Sequence, residues 1–156
     1  MTETNRQARE AMHGDDYVQR FSDKRQIARV ARLVEHIELP ISAKVMDVGC
    51  GTGILAGLLA PRYGSYTGID FSEAMLQQAR ANTLASGLQH CNFLCADAVD
   101  VMRAQPDAWD AIFMLDISEH VPDTEWAGIV DAARLALKPG GKVYLHTPNL
   151  DFVLER

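Results

Sequence analysis

No apolar run in this chain approaches the roughly 18 residues needed to cross a bilayer as a helix, so no transmembrane segment is expected. Cysteine is equally scarce. Cys50, Cys91 and Cys95 are odd in number and offer no disulfide framework, which reads as reduced thiols and a cytoplasmic location. The opening residues, Met1-Thr2-Glu3-Thr4-Asn5-Arg6, lack the apolar core of a secretory signal. A cationic excess is missing too: 15 basic residues stand against 21 acidic, a net charge of −6. Residues 1–40 balance seven basic with seven acidic side chains, so the whole excess falls on residues 41–156. A nucleic-acid partner, which selects for a cationic footprint, is therefore not expected.

What remains is an ordinary globular composition, 47% hydrophobic and 23% charged over 156 residues. That length suits one domain, with no need of a metal or disulfide to complete its core. Residues 1–40 read as a helical cap: Ile27, Val30, Val34 and Ile37 recur at helical spacing, Ser22 or Asp23 can cap the start, and Pro40 ends the run. Arg25, Arg29 and Arg32 lie near one face, read first as a solvated face and second as an anion or partner contact.

From residue 41 a core of alternating strands and helices begins. Strands are expected at 44–48, 65–70, 91–96, 109–115 and 142–147. Helices are expected near 54–62, from the Ser72 cap to the Gly87 stop, and along the stripe Trp126, Ile129, Val130, Ala133 and Leu137. That alternation predicts an α/β fold with a parallel sheet.

Asp47-Val48-Gly49-Cys50-Gly51-Thr52-Gly53 falls where the first strand must turn into its helix. Glycines there admit positive φ and close ligand approach, ahead of a helix N-terminus. A tight turn is the plain alternative. The dinucleotide fingerprint G-x-G-x-x-G/A is not met, since Ile54 stands at its third small position, and no G-K-[ST] follows. Aspartates close the first four strands: Asp47, Asp70, Asp97 and Asp116. Singly each reads as a loop cap. Together at the carboxyl ends of a parallel sheet they disfavour a pyrophosphate, and with it an NAD-dependent oxidoreductase. They favour a cationic ligand rich in hydroxyl and amino donors.

At these residues the chain resembles the class I S-adenosylmethionine-dependent methyltransferases. The segments are V-M-D-V-G-C-G-T-G (45–53), G-I-D-F-S (68–72), C-A-D-A (95–98), F-M-L-D-I-S-E-H-V (113–121) and L-K-P-G-G-K-V (137–143). The resemblance implies a Rossmann-like methyltransferase fold, a mainly parallel five-stranded sheet in order 3-2-1-4-5. It implies S-adenosyl-L-methionine as cofactor, released as S-adenosyl-L-homocysteine. Asp47, Gly49, Cys50, Gly51 and Gly53 would hold its methionine part, and Asp70 the ribose hydroxyls. Phe71 or Met75 would pack on the adenine, Asp97 would take its amino group, and the Ala98 backbone N–H a ring nitrogen. Asp116 and Ile117 would line the reacting methyl, and Tyr17 would fold over the cofactor.

Glu119 and His120 are the expected catalytic pair, because a hydroxyl acceptor needs a base and histidine titrates near neutrality. Capping of the following helix is the plain alternative. Asp116-x-x-Glu119-His120 is similar to the signature of ubiquinone-biosynthesis O-methyltransferases and of small-RNA ribose methyltransferases, the latter also sharing Thr147-Pro148-Asn149. Position 116 is Asp rather than Glu, and the later metal-ligating histidine has no counterpart downstream unless the geometry lets His146 substitute, so no metal ligand is assigned. The expected acceptor is a small molecule, methylated on oxygen. The competing expectation is a cofactor-binding or regulatory subunit without catalysis, or an incomplete fragment. Class I enzymes usually continue into a sixth and seventh strand, which this chain lacks. Its fifth strand would form an open edge, free to pair with a second copy as a homodimer.

Overall fold

The computed structural model describes residues 24–147. Helix α1 (Lys24–Val34) leads into β1 (Lys44–Val48), α2 (Ile54–Leu59), β2 (Ser65–Asp70), α3 (Glu73–Ala85) and β3 (Cys91–Cys95). There follow α4 (Ala98–Arg103), β4 (Trp109–Leu115), a 3-10 turn (Ser118–His120), α5 (Asp123–Ala136) and β5 (Leu137–His146). The five strands are all parallel, in the order β3-β2-β1-β4-β5. No helix among the described residues is long and apolar enough to cross a membrane.

Successive side chains of a strand point to opposite faces, and both faces of this sheet are apolar. One face gathers Val45, Tyr66, Phe93, Ala111 and Phe113 beneath α1, α2 and α3. The other gathers Met46, Val48, Ile69, Ile112 and Met114 beneath α4 and α5, which contribute Met102, Ala132, Ala133 and Ala136. The small alanines of α5 let that helix lie close to the sheet. The predicted spans for β2 and β4 match the observed ones, and Ser72 caps α3 by accepting the Met75 N–H.

Three features differ from expectation. Helix α1 stops at Val34, so Ile37 lies beyond it, donating its N–H back to the Val34 carbonyl. Arg62 holds that end by donating to the Val34 and Ile37 carbonyls at 3.2 and 3.0 Å. Helix α4 was not expected at all: six residues are too few for an apolar period to show, although Asp97 marks its start by capping Val99. The last difference is in β5. It pairs from Leu137, and Lys138-Pro139-Gly140-Gly141 loops out before the ladder resumes at Lys142. Gly141 is required there, since a Cβ would sit 2.9 Å from the Trp109 carbonyl oxygen. The candidate caps Ser22 and Asp23, and Tyr17, lie outside the described residues.

Two glycines separate packing from conformation. A Cβ on Gly68 would lie 2.7 Å from Cys50 Sγ and 2.8 Å from Phe93 Cδ1, whereas one on Gly57, exposed on α2, meets nothing. We expect Gly68→Ala to destabilise the chain by about 1–3 kcal/mol through overpacking. Gly57→Ala is expected to stabilise it by about 0.5–1 kcal/mol. Urea-unfolding midpoints of the two variants check both signs.

Candidate functional site

The glycine turn leaves β1 at Val48 and enters α2 at Ile54. Gly49, Gly51 and Gly53 all have positive φ, at 71°, 52° and 74°. Each has a different neighbour. A Cβ on Gly49 would strike Ile117 at 2.5 Å, and one on Gly53 would press on Ala79 at 3.0 Å, but one on Gly51 would meet open space. The turn is therefore packed at both ends and open at its middle.

Asp70, the last residue of β2, holds the turn in place. Its Oδ2 accepts the Gly51 N–H at 2.9 Å and its Oδ1 accepts the Ser72 N–H at 2.9 Å. The Gly49 and Cys50 N–H groups both donate to the Ile69 carbonyl, at 2.8 and 3.0 Å. Each Asp70 oxygen keeps a further lone pair for another donor. Nearby, the buried hydroxyl Oγ1 of Thr52 has no hydrogen-bond partner, an orphaned polar atom within the turn itself.

The four strand-end aspartates are not four free carboxylates. Asp47 lies within β1, buried beneath the turn, and accepts a hydrogen bond from the Tyr66 hydroxyl. Burial, with Asp70 nearby, pushes its pKa up from 3.8 to about 7, and the Tyr66 bond only partly opposes this. Asp97 lies just beyond β3 and caps α4 through the Val99 N–H at 2.9 Å. Asp116 follows β4 with φ +56°, its carboxylate taken by the Arg29 guanidinium and by His146 Nδ1. Of the three arginines on the first helix, Arg29 thus has a partner on the sheet. The ring of negative charge expected from the sequence is accordingly uneven, because burial opposes the ionisation of Asp47 and an ion pair offsets Asp116.

Phe71 is half-buried beside Asp70, while Met75 is buried. Ala98 is buried at the start of α4, and Ile117, half-buried, covers Gly49. Burial, with Asp47 and Asp70 close by, pushes the Cys50 thiol up, so it stays protonated as a packing group. Cys91 and Cys95, four apart in β3 and so on one side of the strand, pack against one face of the sheet. Glu119 sits 3.4 Å from the hydroxyls of Ser118 and Thr147, and His120 is exposed on the 3-10 turn. Among the described residues no three His, Cys, Asp or Glu side chains converge as a metal set. Sequence reasoning did not assign His146 a role beside Asp116. In the sequence it stands only as a substitute for the missing metal-ligating histidine, with its position at the end of the fifth strand as the further signal.

The buried Asp47 has a definite pH signature. Its folded pKa lies above the unfolded value, so its stabilising contribution is fully present below about pH 4 and is lost as pH rises through about 7. Asp47→Asn, which keeps an acceptor for Tyr66 but carries no charge, should gain stability relative to wild type over that window. Thermal midpoints of both proteins between pH 4 and pH 8 measure the difference. A constant offset across the range would contradict it.

Comparison with known proteins follows the same residues. The methyltransferase domain family matches residues 45–141, more than half of the chain. The ubiquinone biosynthesis O-methyltransferases of Idiomarina loihiensis and Stutzerimonas stutzeri are 38% and 40% identical over 121 residues, 78% of this chain. That alignment covers 49% and 50% of those proteins, so the chain spans about half the length of these curated relatives. In structure, a SAM-dependent methyltransferase from Archaeoglobus fulgidus superimposes with a TM-score of 0.69 at 20% identity, covering 86% of this chain and 57% of that one. Fold, turn and sequence agree, and the chain belongs to the class I S-adenosylmethionine-dependent methyltransferase family.

Proposed function

We propose that this chain binds S-adenosyl-L-methionine and transfers its methyl group to an oxygen of a small-molecule acceptor. One observation carries the reading: a three-glycine turn, clamped to β2 by Asp70, that opens to solvent-side space only above Gly51. Such a turn suits a ligand that lies directly on backbone, and the unpartnered Thr52 hydroxyl fits a further polar group there. The cofactor supplies a methyl carbon already activated by its sulfonium, so the protein has mainly to hold donor and acceptor in line.

In this reading Gly49, Cys50, Gly51 and Gly53 hold the methionine part, with Asp47 supporting the turn from below. Asp70 accepts the ribose hydroxyls on its spare lone pairs. The half-buried ring of Phe71, on the wall formed with Met75, packs on the adenine. Asp97 and the Ala98 N–H read the adenine edge, and Asp116 and Ile117 border the methyl. Tyr17 closes over the cofactor. Glu119 and His120, at the mouth beyond β4, meet the acceptor. The ubiquinone biosynthesis relatives support oxygen as the methylated atom. The three free cysteines support a cytoplasmic setting. Pairing of β5, the outermost strand beyond β4 among the described residues, with a second copy completes the proposal.

Titration calorimetry with S-adenosylhomocysteine and NAD tests the cofactor. The first is expected to bind and the second not to, and the reverse would overturn the reading. Gly51→Val should abolish the binding heat. Asp70→Ala, which removes two charge-assisted hydrogen bonds, should weaken affinity roughly 100-fold or more. His120→Ala should leave that affinity unchanged and lower turnover about 10- to 100-fold in a screen of hydroxylated metabolites with methyl-labelled cofactor. A His120 variant with full turnover would remove this residue from the acceptor site.

A further inference from the structure

A hydroxyl acceptor must lose its proton as the new bond to carbon forms. Of the two described histidines at this end of the sheet, His120 is exposed, whereas His146 has its ring held by a carboxylate. His146 ends β5 and pairs in register with Leu115, directly before Asp116. Its Nδ1 lies 2.6 Å from Asp116 Oδ1, and the Arg29 guanidinium holds the other oxygen, Oδ2. The Asp116 N–H also donates to the His146 carbonyl at 2.9 Å, so backbone and side chain clamp the same two residues together.

Asp116 makes these contacts with φ +56°, a left-handed conformation uncommon outside glycine. Strain of this kind persists where surrounding contacts over-determine it, and it clusters at functional sites. A carboxylate acceptor at Nδ1 selects, for the neutral imidazole, the tautomer with its proton on Nδ1 and its lone pair on Nε2. A general base needs that arrangement: one nitrogen fixed by an acceptor, the other bare. The imidazole is 30% exposed and borders a cavity of about 280 Å³ lined by Leu33, Val34, Ile37, Leu115 and Tyr144. The charged groups around it are Asp116 after β4, Arg29 from α1, and Glu119, which reaches Thr147 next in chain to His146.

We propose that His146 is the base of this site, oriented by Asp116, which Arg29 in turn holds. This rests on the methyl-transfer reading above. The acceptor hydroxyl gives its proton to Nε2 of His146. The oxygen lone pair forms the bond to the methyl carbon, and the carbon–sulfur bond breaks with its electron pair returning to sulfur. The imidazolium that results faces the Asp116 carboxylate, which offsets its charge. His146 touches the acceptor, while Asp116 and Arg29 are positioning residues.

Two measurements on the full chain test this. In the first, histidine nitrogen–proton correlation spectra, assigned with His146→Gln, should show the Nδ1–H tautomer with Nε2 bare. Asp116→Asn should remove that preference. A proton on Nε2 in the wild type, or a tautomer indifferent to Asp116→Asn, overturns the proposal. The second uses whichever hydroxyl acceptor the wild type methylates, together with a fluorinated analogue whose hydroxyl is more acidic. His146→Gln should lower kcat about 10²–10⁴-fold at unchanged S-adenosylhomocysteine affinity. The loss should shrink with the analogue, which needs a base less. Equal losses for both acceptors indicate a structural role and overturn the assignment, as does an undiminished kcat. A wild type that shows the Nδ1–H tautomer but methylates no acceptor faults the methyl-transfer reading instead.

Discussion

The carboxylate of Asp70 accepts from two backbone N–H groups that belong to different elements, Gly51 in the glycine turn and Ser72 at the cap of α3. Those two bonds decide the shape of the site. A turn of three glycines has little conformational preference of its own. Here it is held by the end of β2, and so by the whole register of the β1–β2 pair that sets Val48 beside Ile69. The Ile69 carbonyl adds two further bonds from Gly49 and Cys50. The turn is thus an extension of the sheet, and the open space over Gly51 is framed by rigid elements.

Beneath that turn the polar groups answer to burial. Asp47 and Tyr66 share one hydrogen bond on a face otherwise built from Val45, Phe93, Ala111 and Phe113. A carboxyl in such surroundings resists ionisation, and Tyr66, wholly buried beside it, is pushed well above the usual phenol range. Gly68 leaves room on the same face for the Cys50 sulfur and the Phe93 ring. Packing under the turn and ligand space above it are two sides of one arrangement.

Much of this was legible in order along the chain. The spans 65–70 and 109–115 and the Ser72 cap followed from apolar runs bounded by turn residues, and the sheet order from the family resemblance alone. Helix α4 was not legible, because six residues show no period. The early pairing of β5 at Leu137 was hidden by Lys138-Pro139-Gly140-Gly141, which reads as a plain stop yet lies within the ladder. The partners of Asp116 were hidden for a different reason. Arg29 and His146 are 87 and 30 residues away in sequence, and no local rule joins them.

The amino-acid sequence by itself determined the alternation of elements, the placing of glycines where φ must be positive, and an aspartate at or near each of four strand ends. These depend on short-range sterics and on burial, which neighbouring residues report. Only the tertiary structure decided what each aspartate became: a buried Asp47 with its pKa raised, a clamp at Asp70, a cap at Asp97, and a twice-paired Asp116. Charge state and partnership depend on distance through space and on the local loss of water. Both arise only when strands distant in sequence lie side by side.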